Sequence, residues 1–239
     1  MQSFPLFPAF SSGQTLNLLH NHSAGGFFLS GSLTAETLVG IRDAGLLSAS
    51  EYANHLRRMK MITDTPLIAD LQSGFGNPMN TYYAAQEFER SGADCLLISD
   101  QKSPAHTQDA PAITNDEDFL GKVHAALDAR EDELTQVWAL MEGLPTEGIE
   151  KVLRKYAWLE RLPLGAIVVA HWTLPQLQAL ALTPHRLPLI ATWDPDVAAI
   201  PGINGWLDTG YLENAESGLA RELIADLPTL LTPSDKEAM

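Results

Sequence analysis

The amino-acid sequence predicts an α/β protein, a single (β/α)8 TIM-type barrel. Three observations support this. Eight short, near-continuously apolar runs recur along the 239 residues, amphipathic stretches separate them, and no linker or shift in composition divides the chain. Runs that are apolar on both faces suit parallel strands covered by helices, and right-handed βα units of this kind close into a barrel of about this length. An open doubly wound sheet is the alternative arrangement of the same elements.

Taken in order, the runs are FPLF (4–7), GFFLSG (26–31), PLIADL (66–71), DCLLISD (94–100) and TQVWALME (135–142). AIVVAHW (166–172), PLIATW (188–193) and INGWLDTG (203–210) complete the set. Between them, SASEYANHLRRMKMI (48–62) opens on a Ser48-x-x-Glu51 capping box, with Ser50 as a second candidate cap. NTYYAAQEFERSG (80–92) ends at Gly92, a residue suited to the left-handed turn after a helix. DEDFLGKVHAALDAR (116–130) and TEGIEKVLRKYAWLERL (146–162) carry apolar residues at i, i+3 and i+4, and LENAESGLARELIADL (212–227) repeats that spacing more weakly. The tail at 232–239 is expected to fray.

Composition narrows the function. Thirty acids against fifteen Lys and Arg give a formal net charge of −15, a field that repels nucleic-acid phosphates and attracts no anionic metabolite from a distance. An anionic ligand would need a local cation. No apolar run reaches the length of a membrane span, and no basic region followed by a long apolar stretch opens the chain. The single Cys95 excludes an internal disulfide and, at the start of an apolar strand, reads as core. A soluble cytoplasmic protein is expected.

In such a barrel the chemistry sits at the C-terminal ends of the strands. Those positions hold Ser30, Gly31 and Ser32, then Asp70 with Gln72, Ser99 with Asp100, Glu142, His171, Thr192 with Asp194, and Asp208. Carboxylates converging on one mouth repel unless a cation or protons intervene, and a divalent hard metal such as Mg2+ answers that need economically. His171 and Trp172 either line the pocket or pack beneath the next loop. His20 and His22 lack a third nearby ligand and do not make a metal pair.

The segments GFFLSGSLTAETLVGIRDAGLLSASEY and PLIADLQSGFGNPMNTYYAAQEFERSGADCLLISDQKSP, continued through 116–133, resemble the phosphoenolpyruvate mutase/isocitrate lyase superfamily over roughly residues 25–145. That resemblance implies an α/β barrel acting on small 2-oxo acids or phosphonates, with Mg2+ holding the enolate oxygen. It implies Asp70 as the main metal ligand, assisted by Asp43 in GIRDAG and by Gln72 and Asp100. Phe28, Ser30, Gly31, Ser32, Gln72 and Thr192 are implied as substrate-binding residues, with Asp43, Asp70, Glu142 and His106 catalytic.

The chain also departs from that pattern. Gln72 replaces a second acid, Ser99 replaces a Glu, Leu140 replaces an anion-binding Arg and Phe75 replaces a Tyr. The loop Pro104-Ala105-His106-Thr107-Gln108-Asp109 lacks the thiol that serves as acid and base in the lyases, with Thr107 in its place. A threonine hydroxyl is too weak an acid for that role, which leaves His106 as the loop's proton-transfer candidate or else a solvated histidine. Mg2+ is therefore expected to be held weakly or lost.

Two readings follow. One is a Mg2+-assisted lyase or decarboxylase of a small 2-oxo acid, with P–C mutase or hydrolase chemistry as a variant. The other is a non-catalytic relative that binds a metabolite or a partner. Exchange of C-terminal helices between subunits is not expected of a chain this short, while a homo-oligomer through barrel helices stays open.

Overall fold

The computed structural model describes residues 5–19, 24–107, 112–211 and 213–214. Within them, nine parallel strands form one sheet: β1 (Leu6–Phe7), β2 (Ala9–Phe10), β3 (Phe27–Leu29), β4 (Leu67–Asp70), β5 (Cys95–Ser99), β6 (Gln136–Met141), β7 (Ala166–Val169), β8 (Leu189–Thr192) and β9 (Gly205–Leu207). All eight predicted runs are strands. The ninth arises because the first run continues past Pro8, which has no N–H to give to a ladder. β1 pairs with β9 and β2 pairs with β3.

The sheet order β1-β9-β8-β7-β6-β5-β4-β3-β2 thus begins and ends on segments joined by one proline. Phe7 O accepts from Asp208 N (3.0 Å) and Pro8 O from Phe28 N (2.8 Å), which closes the barrel. The open-sheet alternative is excluded.

Seven helices cover it among the described residues: α1 (Gly13–Leu19), α2 (Gly31–Val39), α3 (Ala49–Lys60), α4 (Pro78–Arg90), α5 (Asp116–Ala129), α6 (Leu144–Leu159) and α7 (Leu174–Leu182). The capping box of α3 forms as expected: Ser48 Oγ accepts from Glu51 N and Ser48 N donates to Glu51 Oε2 at 2.9 Å. Gly92 follows α4 at φ 100°. α6 starts at Leu144, before the periodic stretch, and accommodates a non-helical Gly148 (φ 73°).

α1, α2 and α7 were not anticipated. α1 is seven residues long, and the nine-residue α2 and α7 are too short and too uniformly apolar to show a polar face. Of the expected helix at 212–227 only Glu213–Asn214 fall within the described residues, and His20, His22, Gln108, Asp109 and the tail fall outside them.

Two apolar layers result. One lies between sheet and helices, built on Tyr52, Phe88, Phe119 and Val137 among others. The second fills the barrel, where Phe28, Ile68, Leu97, Trp138, Leu140, Val168, Ile190 and Leu207 point inward. Side chains alternate across a strand, so the next inward position up each of these strands is two residues further on. Those positions are Ser30, Asp70, Ser99, Glu142 (two beyond Leu140), Ala170, Thr192 and Thr209, and the apolar plug thereby gives way to a polar rim.

Candidate active site

A cavity of about 450 Å³ opens at that rim, lined by Ser30, Ser32, Arg42, Asp70, His106 and Glu142 together with Phe28, Gln101, Leu140, His171 and Thr192. Its polar groups are held from behind. Ser30 caps α2, and Gly31 N donates to Asp70 Oδ2 at 2.9 Å. Gln72 N donates to Asp70 Oδ1 at 2.9 Å. The buried Tyr52 hydroxyl donates to Leu29 O and accepts from Asp70 N (2.7 Å), tying β3 to β4 at the residue where the carboxylate projects.

His106 sits between two carboxylates. Its Nδ1 is 3.3 Å from Asp70 Oδ2 and its Nε2 is 3.0 Å from Glu142 Oε2, with the side chain only 17% exposed. The loop that carries it is pinned at several points. His106 N donates to Gln101 Oε1 (2.9 Å), and His106 O accepts from Ala44 N (3.1 Å). Thr114 N donates to Asp100 O at the loop's return. Gly45 leaves room for this docking, since a Cβ there would come within 2.9 Å of Pro104 Cβ.

Glu142 is the hub of the site. Besides His106 it accepts from His171 Nε2 (3.1 Å) and from the Ser99 hydroxyl. Burial opposes its charge, but the His106 imidazolium and these hydrogen bonds outweigh burial and hold its carboxyl far below the usual range. Burial likewise opposes charge on His106, yet Glu142 and then Asp70 lift its pKa well above an ordinary histidine's. His171 is raised chiefly by its hydrogen bond to Glu142 and is half-exposed at the rim.

Four described residues other than glycine have left-handed backbone: Gln72 (φ 51°), Phe75 (57°), His106 (54°) and His171 (53°). Two of these carry the imidazoles on Glu142, and such backbone costs of order 1 kcal/mol or more, so it persists only where the surroundings enforce it.

Of the expected site residues, Phe28, Ser30, Ser32, Asp70, His106, Glu142 and Thr192 line this cavity, and Gly31 stands behind Asp70. Asp43, expected to be catalytic and a metal ligand, does not line it. Asp43 caps the 3-10 turn Ala44–Leu46, its Oδ1 accepting from Gly45 N. Gln72 spends its amide on Ala44 O (3.2 Å).

Asp100 is buried beneath the pocket, accepting from Glu142 N (2.8 Å) and pairing with Lys155 Nζ (2.9 Å). Burial lifts its carboxyl to about 6 in spite of Lys155. Asp194 and Asp208 cap local turns. The four expected Mg2+ ligands therefore do not converge. Asp70 accepts from two backbone N–H groups and faces an imidazole, both Asp100 oxygens are engaged by Glu142 N and Lys155, Asp43 Oδ1 caps a turn, and Gln72 uses its Nε2 on Ala44 O. Among the described residues no group of three or more His, Cys, Asp or Glu is arranged to hold a metal ion. Mg2+ keeps several waters and needs only one or two carboxylates, so Asp70 at the rim is the residue that would hold such an ion.

Arg42, Gln101 and Thr209 were missed. The two-residue stride from Leu207 points to Thr209, whereas Arg42 and Gln101 reach the pocket from loops whose course no local pattern announces.

Comparison with known proteins is consistent with this geometry. A family model described as phosphoenolpyruvate phosphomutase matches residues 6–151, more than half of the chain. A phosphonopyruvate hydrolase of Variovorax sp. (strain Pal2) is 27% identical over 203 residues, covering 77% of this chain and 69% of the relative. An oxaloacetate decarboxylase of Rhodopseudomonas palustris (strain HaA2) is 36% identical over 162 residues. That match covers 67% of this chain and 56% of the decarboxylase, so it spans little more than half of the relative's length. A crystal structure of phosphonopyruvate hydrolase with oxalate and Mg2+ superposes with a TM-score of 0.83 at 25% identity, over 98% of this chain and 88% of that one. A 2,3-dimethylmalate lyase structure (TM-score 0.83, 18% identity, 99% and 84% covered) shares the fold.

Proposed function

The chain belongs to the phosphoenolpyruvate phosphomutase family, and on that premise we propose that its barrel mouth is a lyase or decarboxylase site that breaks a bond at the carbon beside the carbonyl of a small 2-oxo acid, leaving an enolate. The observation that carries this reading is the His106–Glu142–His171 cluster on the wall of the pocket at the barrel rim. It joins a fixed cation to a solvent-linked proton carrier.

The substrate carboxylate lies toward Arg42 and the Ser30 and Ser32 hydroxyls at the start of α2, where cation and hydroxyl donors favour an anion. In decarboxylation of an oxaloacetate-like acid, the bond from C3 to the distal carboxylate breaks and CO2 leaves. The electron pair moves into the carbonyl as an enolate. The His106 imidazolium beside it lowers the cost of that negative charge. His171, half-exposed and raised by its hydrogen bond to Glu142, is the proton carrier that delivers a proton to C3 and takes another from water. Glu142 orients both rings.

The hydrolase and decarboxylase relatives support a small 2-oxo acid or phosphonate as substrate. The hydrolase structure with oxalate and Mg2+ makes a divalent cation a family possibility. When bound, such an ion would supply Lewis-acid stabilisation of an enolate, with the Asp70 carboxylate as the residue to hold it, and no step above uses one. Leu140 on the pocket wall favours C–C over P–C cleavage, because an apolar side chain there offers nothing to neutralise a multiply charged phosphonate.

The test is turnover of oxaloacetate, 2-methylisocitrate and phosphonopyruvate by the purified protein, with products identified by NMR. Turnover of a carboxylate substrate above the spontaneous rate is expected. No turnover of any of the three by folded protein would overturn the proposal and leave a binding role.

A further inference from the structure

We propose that the uncharged face of the pocket is a subsite for an alkyl group, so that the preferred substrate is a 2-oxo acid with an alkyl substituent on C3.

The charged side chains of the pocket are confined to one part of the ring. Arg42, Asp70, His106, Glu142 and His171 all come from the strand ends and loops between β3 and β7. β8 and β9 contribute Thr192, Leu207 and Thr209. The acids nearest to them in sequence are turned to the backbone: Asp208 accepts from Ala9, Gly210 and Tyr211 N–H groups, and Asp194 from Asp196 N. The Thr192 hydroxyl accepts from Trp172 Nε1 at 3.1 Å.

Beneath this face the floor is apolar. Phe28, Leu140 and Leu207 line the cavity from the inward layer below the rim, and Ala170 adds a methyl group at the rim itself. All four are buried in the packing of the barrel, so the floor is preformed. An anion set there would lose water and gain no partner, whereas a methyl group gains by leaving water.

The strand order fixes which end of a ligand meets this floor. With β1 and β2 counted as one position, the sheet has eight, and β7 stands opposite β3 while β8 stands opposite β4. Ala170 and Thr192 thus lie across the mouth from Ser30 and Asp70. An acid whose C1 carboxylate turns toward Ser30, Ser32 and Arg42 lays its far end on the apolar face. The cavity, about 450 Å³, lies in the size range of pockets that hold ligands well beyond four carbons.

The substituent leaves the chemistry unchanged. The bond from C3 to the distal carboxylate breaks, CO2 leaves, the electron pair passes into the enolate, and C3 takes one proton. The alkyl group stays on the 2-oxo acid released. Naming a 2-oxo acid rests on the function proposed above; the apolar subsite rests on the pocket alone.

Calorimetric titration of the full chain with pyruvate, 2-oxobutanoate and 3-methyl-2-oxobutanoate in Mg2+ buffer tests this. Wild type is compared with Ala170→Leu and Leu140→Gln, with folding checked by circular dichroism. Wild type should bind the branched acid about tenfold more tightly than pyruvate, the worth of two buried methyl groups, with 2-oxobutanoate between them. In the folded variants that ratio should fall toward one, because Ala170→Leu fills the subsite and Leu140→Gln puts an amide on its floor. Pyruvate bound by wild type as tightly as the branched acid overturns the inference, and so does a ratio that the folded variants retain. The wild-type ratio decides if neither variant folds. If none of the three acids binds, the inference fails, and the turnover panel above then decides the proposed function separately.

Discussion

His106 Nε2 lies 3.0 Å from Glu142 Oε2, and each residue holds the other in its charged form against the cost of burial. The pair is therefore one unit, and removing either charge should release the other. Glu142→Gln keeps the shape and most hydrogen bonds while deleting the charge. The His106 ring should then titrate closer to an ordinary histidine by NMR, and turnover should fall by about 100-fold or more, the usual worth of a positioned acid–base group. An unmoved His106 titration would show that Glu142 does not hold its charge.

Stability should carry the same signature. Glu142 and Asp70 lift His106 well above the ordinary histidine value of about 6.5, so its contribution is complete below that value and is lost as pH rises through the raised one. The Glu142 carboxyl is held far below the usual carboxylate range, so its contribution is complete above that range and fades only as acid reaches the depressed value. Urea unfolding from about pH 6 to pH 10 should show a loss toward alkali that is absent in His106→Gln. Parallel curves for the two proteins would contradict the assignment.

Beneath the pocket, Lys155 meets Asp100 at 2.9 Å and Glu147 at 2.6 Å, with Lys155 and Asp100 both buried. Lys155→Met strands the Asp100 charge and should cost about 3–5 kcal/mol in urea unfolding at neutral pH. The loss should shrink as pH falls, because burial lifts the Asp100 carboxyl to about 6 even beside Lys155, and without that lysine it takes up a proton more readily still. Because Asp100 also accepts from Glu142 N, turnover should suffer too.

Arg42 lines the pocket while its guanidinium pairs with Glu36. If it receives the substrate carboxylate, Arg42→Gln should raise KM about tenfold, the worth of one charge-assisted hydrogen bond, with kcat changed far less. An equal fall in kcat at constant KM would place Arg42 elsewhere in the reaction.

The barrel was legible because its strands are continuous apolar runs, and Asp70, Glu142, Ser30 and Thr192 followed from their places at strand ends. The sequence is less legible where a loop decides. Asp43 and Asp100 sit in the right neighbourhood by chain position, yet Asp43 is turned to cap a turn and Asp100 is claimed by a lysine 55 residues away. That lysine lies on a helix whose register against β5 no local spacing reveals. His106 was visible as a residue suited to proton transfer. Its place between two carboxylates depends on the loop folding back onto Gln101 and Ala44, a long-range fact.

The most direct test of the central claim is hydrogen exchange at C3 of pyruvate in D2O, followed by NMR with the wild-type protein and Glu142→Gln. A site that forms and protonates enolates of small 2-oxo acids should exchange those protons well above the buffer rate, in EDTA as in Mg2+, and lose that ability on the substitution. Exchange no faster than buffer with folded wild-type protein under both conditions would contradict it.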